Sequence, residues 1–263
     1  MNPQSLAAII EHGRSLLGHK VEPDPYLSEV AGRSRSHWLL GNAVQMVYQR
    51  QVGFLSDLIL GYTGRPAGKV NILDWGCGRG HITYLLRKRG FSVTACDRDG
   101  GTDENSAFRA ERPILTEQSI DVVPLTDDVK LPFQTGSFDC VTSFGVLEHV
   151  ARDLDSLKEI RRVLRPGGLL YITFLPYRLS WTQAAARLFG DRYHDRLYGR
   201  RSLRELAYAA EFRVQAVWFG QLFPKNPTPL VLDRVLEPID RLACRYTPLK
   251  YFATNLEAVL TAN

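Results

Sequence analysis

A short apolar segment followed by three closely spaced glycines, NILDWGCGRGHI at residues 71–82, constrains the fold of this chain more than any other feature. Residues 71–75 have the composition of a buried strand, and a helical pattern begins directly after the glycines. A strand, a glycine turn and a helix start form the corner at which α/β proteins bind nucleotides. The segment therefore predicts an α/β domain with a nucleotide-like ligand at this corner.

The spacing of the glycines narrows the class of ligand. Gly76, Gly78 and Gly80 form GxGxG, whereas the dinucleotide fingerprint GxGxxG would need a glycine where this chain has His81. A nicotinamide-dependent dehydrogenase is disfavoured for that reason.

Two acidic residues end the first two predicted strands. Asp74 stands just before the glycine turn, where a carboxylate favours a ligand with an amino group or a sulfonium rather than a phosphate. Asp97 ends the second strand and is positioned to accept hydrogen bonds from two ribose hydroxyls. Together they predict a ligand that carries a ribose and a positive charge.

Strand and helix patterns alternate along most of the chain. Residues 1–65 predict an N-terminal helical cap, and residues 66–263 predict the main domain. The strand patterns are VNILDW, SVTACD, SIDVVPL, SFDCVTSFGV, LLYITFL, RVQAVWF and NLEAVLTA. The pattern DLDSLKEIRRVLRPGG predicts a helix ended by Pro166 and Gly167. This alternation predicts a mainly parallel seven-stranded sheet with helices on both faces.

Four segments resemble, in the family's order, the motifs of class I S-adenosylmethionine-dependent methyltransferases of the small-molecule (type 11-like) group. They are ILDWGCGRG, ACD, DDVKLPFQTGSFDCVTSFGVLEHV and LRPGGLLYITF, and they span residues 70–175. The resemblance implies a Rossmann-like fold, S-adenosyl-L-methionine as the cofactor and methyl transfer as the activity. It says little about the acceptor.

The resemblance also implies roles for residues at matching positions. Trp75 departs from the small or acidic residue expected at its position, so its contact stays open. The implied cofactor-binding residues are Asp74, Trp75, Gly76, Cys77 and Gly78 near the methionine portion, Asp97 at the ribose, Arg98, Asp127 and Asp128 at the adenine, and Ser143 and Phe144 near the methyl group.

A general base would help an oxygen acceptor, and His149 in LEHV is the best-placed histidine for that role. The alternative is that His149 only packs or caps a helix start. His194 is a weaker candidate, and Glu148 is interpreted as a structural carboxylate. The four cysteines form no CxxC pair, so we expect no metal site.

Two long segments, 176–204 and 220–250, are expected to lie on the acceptor side. The first combines arginines with aromatic residues, which suits a sugar, phosphate or carboxylate, or else forms a solvated helical face. In the second, residues 226–250 carry apolar residues at helical spacing with basic residues nearby. That pattern fits a core helix, or a surface that makes peripheral contact with a membrane or grips an apolar tail.

Composition bounds the location and the partners. The chain has 263 residues and a net charge of +5, with no apolar run long enough to span a membrane and no signal-peptide pattern. A cytoplasmic protein fits the scattered cysteines. We expect no nucleic-acid partner, since no Asn-Pro-Pro-Tyr motif follows the fourth strand. The sequence does not indicate an oligomeric state.

Three functions stay open at this point. The first is O-methylation of a saccharide, a lipid-linked glycan or a related metabolite. The second is methylation of a quinone, lipid or polyketide, which an apolar and aromatic acceptor pocket would favour. The third is a regulatory protein that binds the cofactor without catalysis, against which the intact glycine loop and Asp97 count.

Overall fold

The computed structural model describes residues 3–17, 21–33, 40–41, 43–98, 112–127, 129–188, 194 and 196–263. In the described part of residues 1–65 the helices are α1 (Pro3–Leu16), α2 (Pro25–Arg33) and α3 (Ala43–Thr63), as the sequence pattern predicts. Strands and helices then alternate. They are β1 (Asn71–Trp75), α4 (His81–Lys88), β2 (Ser92–Arg98), α5 (Pro113–Glu117), β3 (Val122–Leu125), β4 (Phe138–Phe144), α6 (Asp153–Val163), β5 (Leu164–Pro176), α7 (Trp181–Leu188), α8 (Arg200–Ala209), β6 (Phe212–Phe219), α9 (Leu230–Tyr246) and β7 (Asn255–Ala262).

The described strands form one seven-stranded sheet in the order β3-β2-β1-β4-β5-β7-β6. β1 pairs in parallel with β2 and β4, and β7 pairs antiparallel with β5 and β6. The predicted fold class, a mainly parallel Rossmann-like sheet, is confirmed. Strand order reverses beside β1, and α/β proteins bind ligands at the carboxyl ends of the strands at such a point.

Neighbouring residues of β1 point into two separate cores, because side chains alternate along a strand. Ile72 packs in a core that includes Leu58 of α3, whereas Leu73 packs in one that includes Leu157 of α6 and Leu203 of α8. Helices therefore cover both faces of the sheet. The N-terminal helices share a core with the sheet, and a boundary near residue 65 stays a prediction.

The predicted helix from Asp153 to Gly167 is wrong at its end. The helix stops at Val163, and Leu164 already has extended backbone angles (φ −75°, ψ 142°) and pairs with Phe138 of β4. The residue before a proline is biased toward extended conformations, which places the change of structure before Pro166 rather than at it.

The connection from β2 to β3 also differs from the prediction. The third strand begins at Val122 instead of residue 119, and the short helix α5, which the sequence pattern does not predict, precedes it. Ser119 has a positive φ of 47° in the turn that ends α5, so this residue cannot belong to the strand.

Most of residues 226–250 form a helix, α9, but the core-helix interpretation is wrong. Its buried side chains include Asp233 and Asp240, while Val235 and Leu242 are about 60% exposed. Across the part of the chain that the structure describes, every helix is too short or too polar to cross a membrane.

Candidate active site

A cavity of about 770 Å³ opens at the carboxyl ends of β1, β2, β4 and β5. It has the size of a small-molecule site. Its wall includes Asp74, Trp75, Gly76, Cys77, Gly78, Asp97, Arg98, Asp127, Phe144, Glu148, His149 and His194. Nearly all of the predicted site residues therefore meet at one place.

The loop after β1 has two positions, Gly76 and Gly80, at which there is no room for a side chain. Gly76 has a φ of +73°, and a Cβ there would lie 2.5 Å from Val146. Gly80 has a φ of +83°, and a Cβ there would lie 2.3 Å from Leu115. Both positions combine a left-handed backbone with a close neighbour, so glycine is required.

The backbone N–H groups of this loop are used inside the protein. Those of Gly76 and Cys77 donate to the carbonyl of Cys96, that of Gly80 donates to the carbonyl of Cys77, and that of Gly78 donates to Asp97. A phosphate cradle needs free N–H groups, whereas this loop retains carbonyl oxygens to offer. Its polarity therefore suits a positively charged ligand.

Asp97 connects the glycine loop to the end of β2. Its Oδ2 accepts the N–H of Gly78 at 2.7 Å, and its Oδ1 accepts the N–H of Arg98 at 2.7 Å. A carboxylate has about four acceptor positions, so two internal hydrogen bonds leave capacity for two hydroxyls. This geometry fits the ribose-binding role that the sequence predicts.

Asp74 lies at the end of β1 and is almost fully buried. Thr83 donates to its Oδ2 at 2.6 Å and Thr142 donates to its Oδ1 at 3.1 Å. Burial nevertheless raises the pKa of Asp74 to about 6, because a carboxylate loses hydration there. A positively charged ligand in the cavity would favour the ionised form.

We expect the affinity for S-adenosylhomocysteine to rise about tenfold between about pH 5 and pH 7. The ammonium group of the ligand favours ionised Asp74, so binding lowers a pKa of about 6 and releases a proton. Calorimetric titrations across this range test the prediction. The affinity of the Asp74→Asn variant should be nearly independent of pH there, and an equally steep rise in that variant would contradict the assignment.

The remaining predicted adenine contacts lie at the rim of the cavity. Asp127 accepts the N–H groups of Val129 and Lys130 on Oδ1 at 2.7 and 2.8 Å, and the hydrogen bonds from Lys130 and Val129 lower its pKa. Its other oxygen faces no described donor and can accept from an amino group. Arg98 is exposed at the same rim, and Asp128 lies outside the described residues.

Two aromatic residues at strand ends close the floor of the cavity. Trp75 is buried in the core that contains Leu125, so its ring packs as well as lines the wall. Phe144 lies edge-on to Tyr171 and lines the cavity, whereas the preceding Ser143 is buried and is not part of the wall. Alternation along β4 turns these two side chains to opposite faces of the sheet.

Three titratable side chains meet on the wall beyond β4. Glu148 and His149 belong to a short 3-10 helix, Leu147–His149, and their Oε1 and Nε2 atoms are 3.8 Å apart. The rings of His149 and His194 lie 5.7 Å apart. Each of the three residues offers one potential ligand atom within 4.8 Å of the others, so among the described residues this group could also hold a metal ion.

Glu148 is the buried member of this group, and its position in the sequence does not by itself predict that burial. Its Oε2 has no hydrogen-bond partner among the described residues, and burial raises its pKa to about 8. The His149 side chain is 62% exposed, so it faces the cavity and solvent. Glu148 is therefore a buried carboxyl group that retains its proton near neutral pH, and the neighbouring His149 is an accessible imidazole.

We expect Glu148→Gln to stabilise the protein at about pH 8 by roughly 2–5 kcal/mol more than at about pH 5. The folded-state pKa of about 8 exceeds the ordinary value of 4.5, so the wild type loses stability as pH rises between these values, and the amide does not. Urea unfolding of both proteins at each pH measures the difference. A difference that does not change with pH would contradict the assignment.

Both long segments reach the cavity, but none of their described arginines lines it. The residues that they contribute are Pro176, Thr182, Gln183, Ala186, His194, Gln221, Pro224, Lys225 and Asn226. Arg196 donates instead to the carbonyls of Val150 and Ala151, and Arg201 pairs with Glu205. The prediction that arginines bind the acceptor is therefore wrong for Arg196 and Arg201, whose guanidinium groups bind other groups of the protein itself.

The N-terminal helices add a wall residue that the sequence pattern misses. Tyr48 of α3 lines the cavity, and its ring lies 4.4 Å from that of His81 and 5.3 Å from that of Phe174. Burial, together with the charge of Arg79, lowers the pKa of His81 to about 3, so this imidazole stays neutral. Tyr48 lies within a long apolar helix, where the periodicity indicates only packing.

Comparisons with known proteins agree with this geometry. The family described as methyltransferase domain matches residues 73–172. A ubiquinone biosynthesis O-methyltransferase of Caulobacter vibrioides is 32% identical over 112 residues, which cover 42% of this chain and 42% of that protein. The corresponding protein of Xanthomonas oryzae is 34% identical over 134 residues, which cover 49% of this chain and 52% of that protein. The chain thus spans about half or less of these relatives.

A solved structure extends the similarity of the fold beyond the matched region. It is the complex between the Haloferax volcanii Trm112 methyltransferase activator and a protein described as a methyltransferase. The TM-score is 0.54 at 18% identity, and the match covers 92% of this chain and 99% of that chain. The family's cofactor, S-adenosylmethionine, fits the carbonyl-bearing loop, Asp74 and Asp97. Residues 73–172 of this chain, which contribute part of the Rossmann-like sheet, therefore match the family of S-adenosylmethionine-dependent methyltransferase domains.

Proposed function

We propose that this protein transfers a methyl group from S-adenosylmethionine to a hydroxyl of a saccharide, a lipid-linked glycan or a related metabolite. The observation that carries the proposal is the single cavity that joins the carboxylates Asp74 and Asp97 to the Glu148, His149 and His194 group. One end suits the cofactor and the other suits an acid–base step.

S-adenosylmethionine, when bound, supplies an electrophilic methyl group on a positively charged sulfur. In this proposal Asp97 accepts hydrogen bonds from the ribose, and the exposed carboxylate of Asp127 accepts one from the adenine amino group. The loop carbonyls and Asp74 favour the positive charge. Methyl transfer then depends mainly on holding the acceptor oxygen close to the methyl carbon and in line with the sulfur.

His149 is the proposed general base. An exposed imidazole on the cavity wall can accept the hydroxyl proton as the oxygen becomes bonded to carbon. Glu148, with Oε1 at 3.8 Å from Nε2, is a positioning residue that also favours the protonated imidazole once its own proton is lost. The catalytic role of His149 requires that the acceptor binds on the His149 side of Phe144.

The acceptor end of the cavity has the side chains that a saccharide would use. Gln183, Gln221, Asn226 and Asn255 can each donate and accept hydrogen bonds to hydroxyl groups. The second candidate acceptor is a quinone-like or other aromatic ring, which the rings of Tyr48 and Phe174 would favour. The similarity to ubiquinone biosynthesis O-methyltransferases supports this second candidate.

The test follows tritium from methyl-labelled S-adenosylmethionine into an extract of the source cells, with Asp97→Ala as the inactive control. Products are separated into polysaccharide, organic-soluble, small polar, nucleic-acid and protein fractions. Label in glycan or glycolipid supports the first acceptor, and label in a sugar-free lipid supports the second. Tight binding of S-adenosylhomocysteine without label in any fraction would favour a regulatory protein and contradict the proposed activity.

A cytoplasmic location belongs to the same proposal. All four cysteines are buried free thiols, as expected for a protein in a reducing compartment. Fractionation of cells that produce the protein would test this location.

A further inference from the structure

Helix α9 carries exposed apolar side chains in a single row, and the 3-10 helix after it (Pro248–Phe252) carries three more. At about 100° per residue, those of α9 fall within about 100° of the helix circumference. We call this row the α9 apolar face: Val231, Leu232, Val235, Ile239, Leu242 and Tyr246, followed by Leu249, Tyr251 and Phe252. Exposed apolar rows of this extent mark interaction sites.

Buried ion pairs hold α9 with this face outward. Asp233 pairs with Arg50 of α3, and Asp240 pairs with Lys225, whose Nζ lies 2.8 Å from Oδ2. Glu237 lies 3.2 Å from Arg50. If the helix turned to bury its apolar side, Arg50 and Lys225 would stay buried without their acidic partners, which is strongly unfavourable. The outward orientation is therefore built into the fold.

The charges of α9 are sorted between its two sides. All three acidic residues, Asp233, Glu237 and Asp240, take part in the buried pairs. The three basic residues, Arg234, Arg241 and Arg245, fall within about 40° of one another along one border of the apolar face, and Arg245 also pairs with Glu11 of α1. The outward side of the helix is thus apolar and positively charged.

We propose that the α9 apolar face binds the surface of an anionic lipid membrane. A helix with an apolar face and a basic border lies in the interface, with apolar side chains among the acyl chains and cations at the headgroups. A symmetric dimer with antiparallel α9 helices would repeat these residues on both sides and bring the two arginine borders into contact. The arrangement of charge therefore favours lipid over a second copy.

The position of α9 relates this surface to the cavity. Gln221, Pro224, Lys225 and Asn226 line the cavity just before the helix begins. In α7, Gln183 faces the cavity, whereas Trp181 and Leu188 are exposed. Membrane binding would hold the acceptor end of the cavity near the bilayer. The inference goes beyond the proposed activity, since binding to lipid is measured without turnover.

Sedimentation of the full-length protein with vesicles tests the proposal. We expect binding to phosphatidylcholine vesicles with about 30 mol% phosphatidylglycerol, and much weaker binding to phosphatidylcholine alone. The triple variant Val235→Ser, Ile239→Ser, Leu242→Ser should bind the anionic vesicles at least about tenfold more weakly. The double variant Arg234→Gln, Arg241→Gln should also bind the anionic vesicles about tenfold more weakly, and its binding should depend less on salt than that of the wild type.

Tyr208→Ser is the matched control, because Tyr208 is 83% exposed on a different helix, α8, and this change should leave vesicle binding unaltered. Unchanged thermal unfolding of the triple variant would show that it folds. Absence of wild-type binding to anionic vesicles would overturn the proposal, as would equal binding by the triple variant. A dimer in sedimentation velocity that the triple variant dissociates would assign the face to a second copy instead.

Discussion

His149→Ala is expected to lower kcat by about 10²- to 10³-fold, while the affinity for S-adenosylhomocysteine changes by less than about twofold. The imidazole faces the cavity next to buried Glu148, so its loss removes the proposed proton acceptor and leaves the cofactor wall intact. Initial rates with the acceptor that the wild type labels, together with calorimetric titration, measure both quantities.

His194→Gln is the comparison for that variant. The two rings are 5.7 Å apart, but we propose His149 as the base, so we expect a fall in kcat of about tenfold or less for His194→Gln. A kcat for His149→Ala within about threefold of the wild type would remove His149 as the base. A collapse of cofactor affinity would instead indicate that the variant disrupts the loop after β4.

Asp97→Ala is expected to weaken S-adenosylhomocysteine binding by about 100-fold. Two hydrogen bonds from ribose hydroxyls to a carboxylate contribute about 1.5 kcal/mol each, and their loss gives an effect of that size. The same change removes the acceptor for the N–H of Gly78, which loosens the glycine loop. Competition against a labelled cofactor measures the affinity of each variant.

Asp97→Asn separates these two contributions. Its amide oxygen can still accept the N–H of Gly78, so the loop should keep its shape while one ribose hydroxyl loses a charged acceptor. We expect an intermediate loss of about tenfold, and a loss of only a few-fold for Asp127→Ala at the exposed rim. Near wild-type affinity in Asp97→Ala would contradict the ribose assignment.

Periodicity predicts that α9 is a helix, but not which side of it is buried. Val235, Ile239 and Leu242 have the spacing of a core face, and the interior instead contains Asp233 and Asp240. The reason is the ion pairs with Arg50 and Lys225, one of which lies far away in the sequence. A single sequence does not reveal such long-range partners, so the direction of the helix could not be predicted.

The cofactor side of the site is predictable for a local reason. Asp74, the glycines and Asp97 follow directly from strand ends, and parallel strands bring these ends together at one edge. Ser143 shows the limit of that reasoning, since one step along β4 decides which face a side chain occupies. Tyr48 and Gln221 reach the cavity from distant segments, so only the tertiary structure brings them there.

Calorimetric titration of the wild-type protein with S-adenosylhomocysteine tests the central claim most directly, because every proposed role depends on the cavity binding this ligand. We expect one site per chain, competition by S-adenosylmethionine, and proton release near pH 6 through Asp74, whose pKa is about 6. The absence of saturable binding, or binding that Asp97→Ala leaves unchanged, would contradict the account.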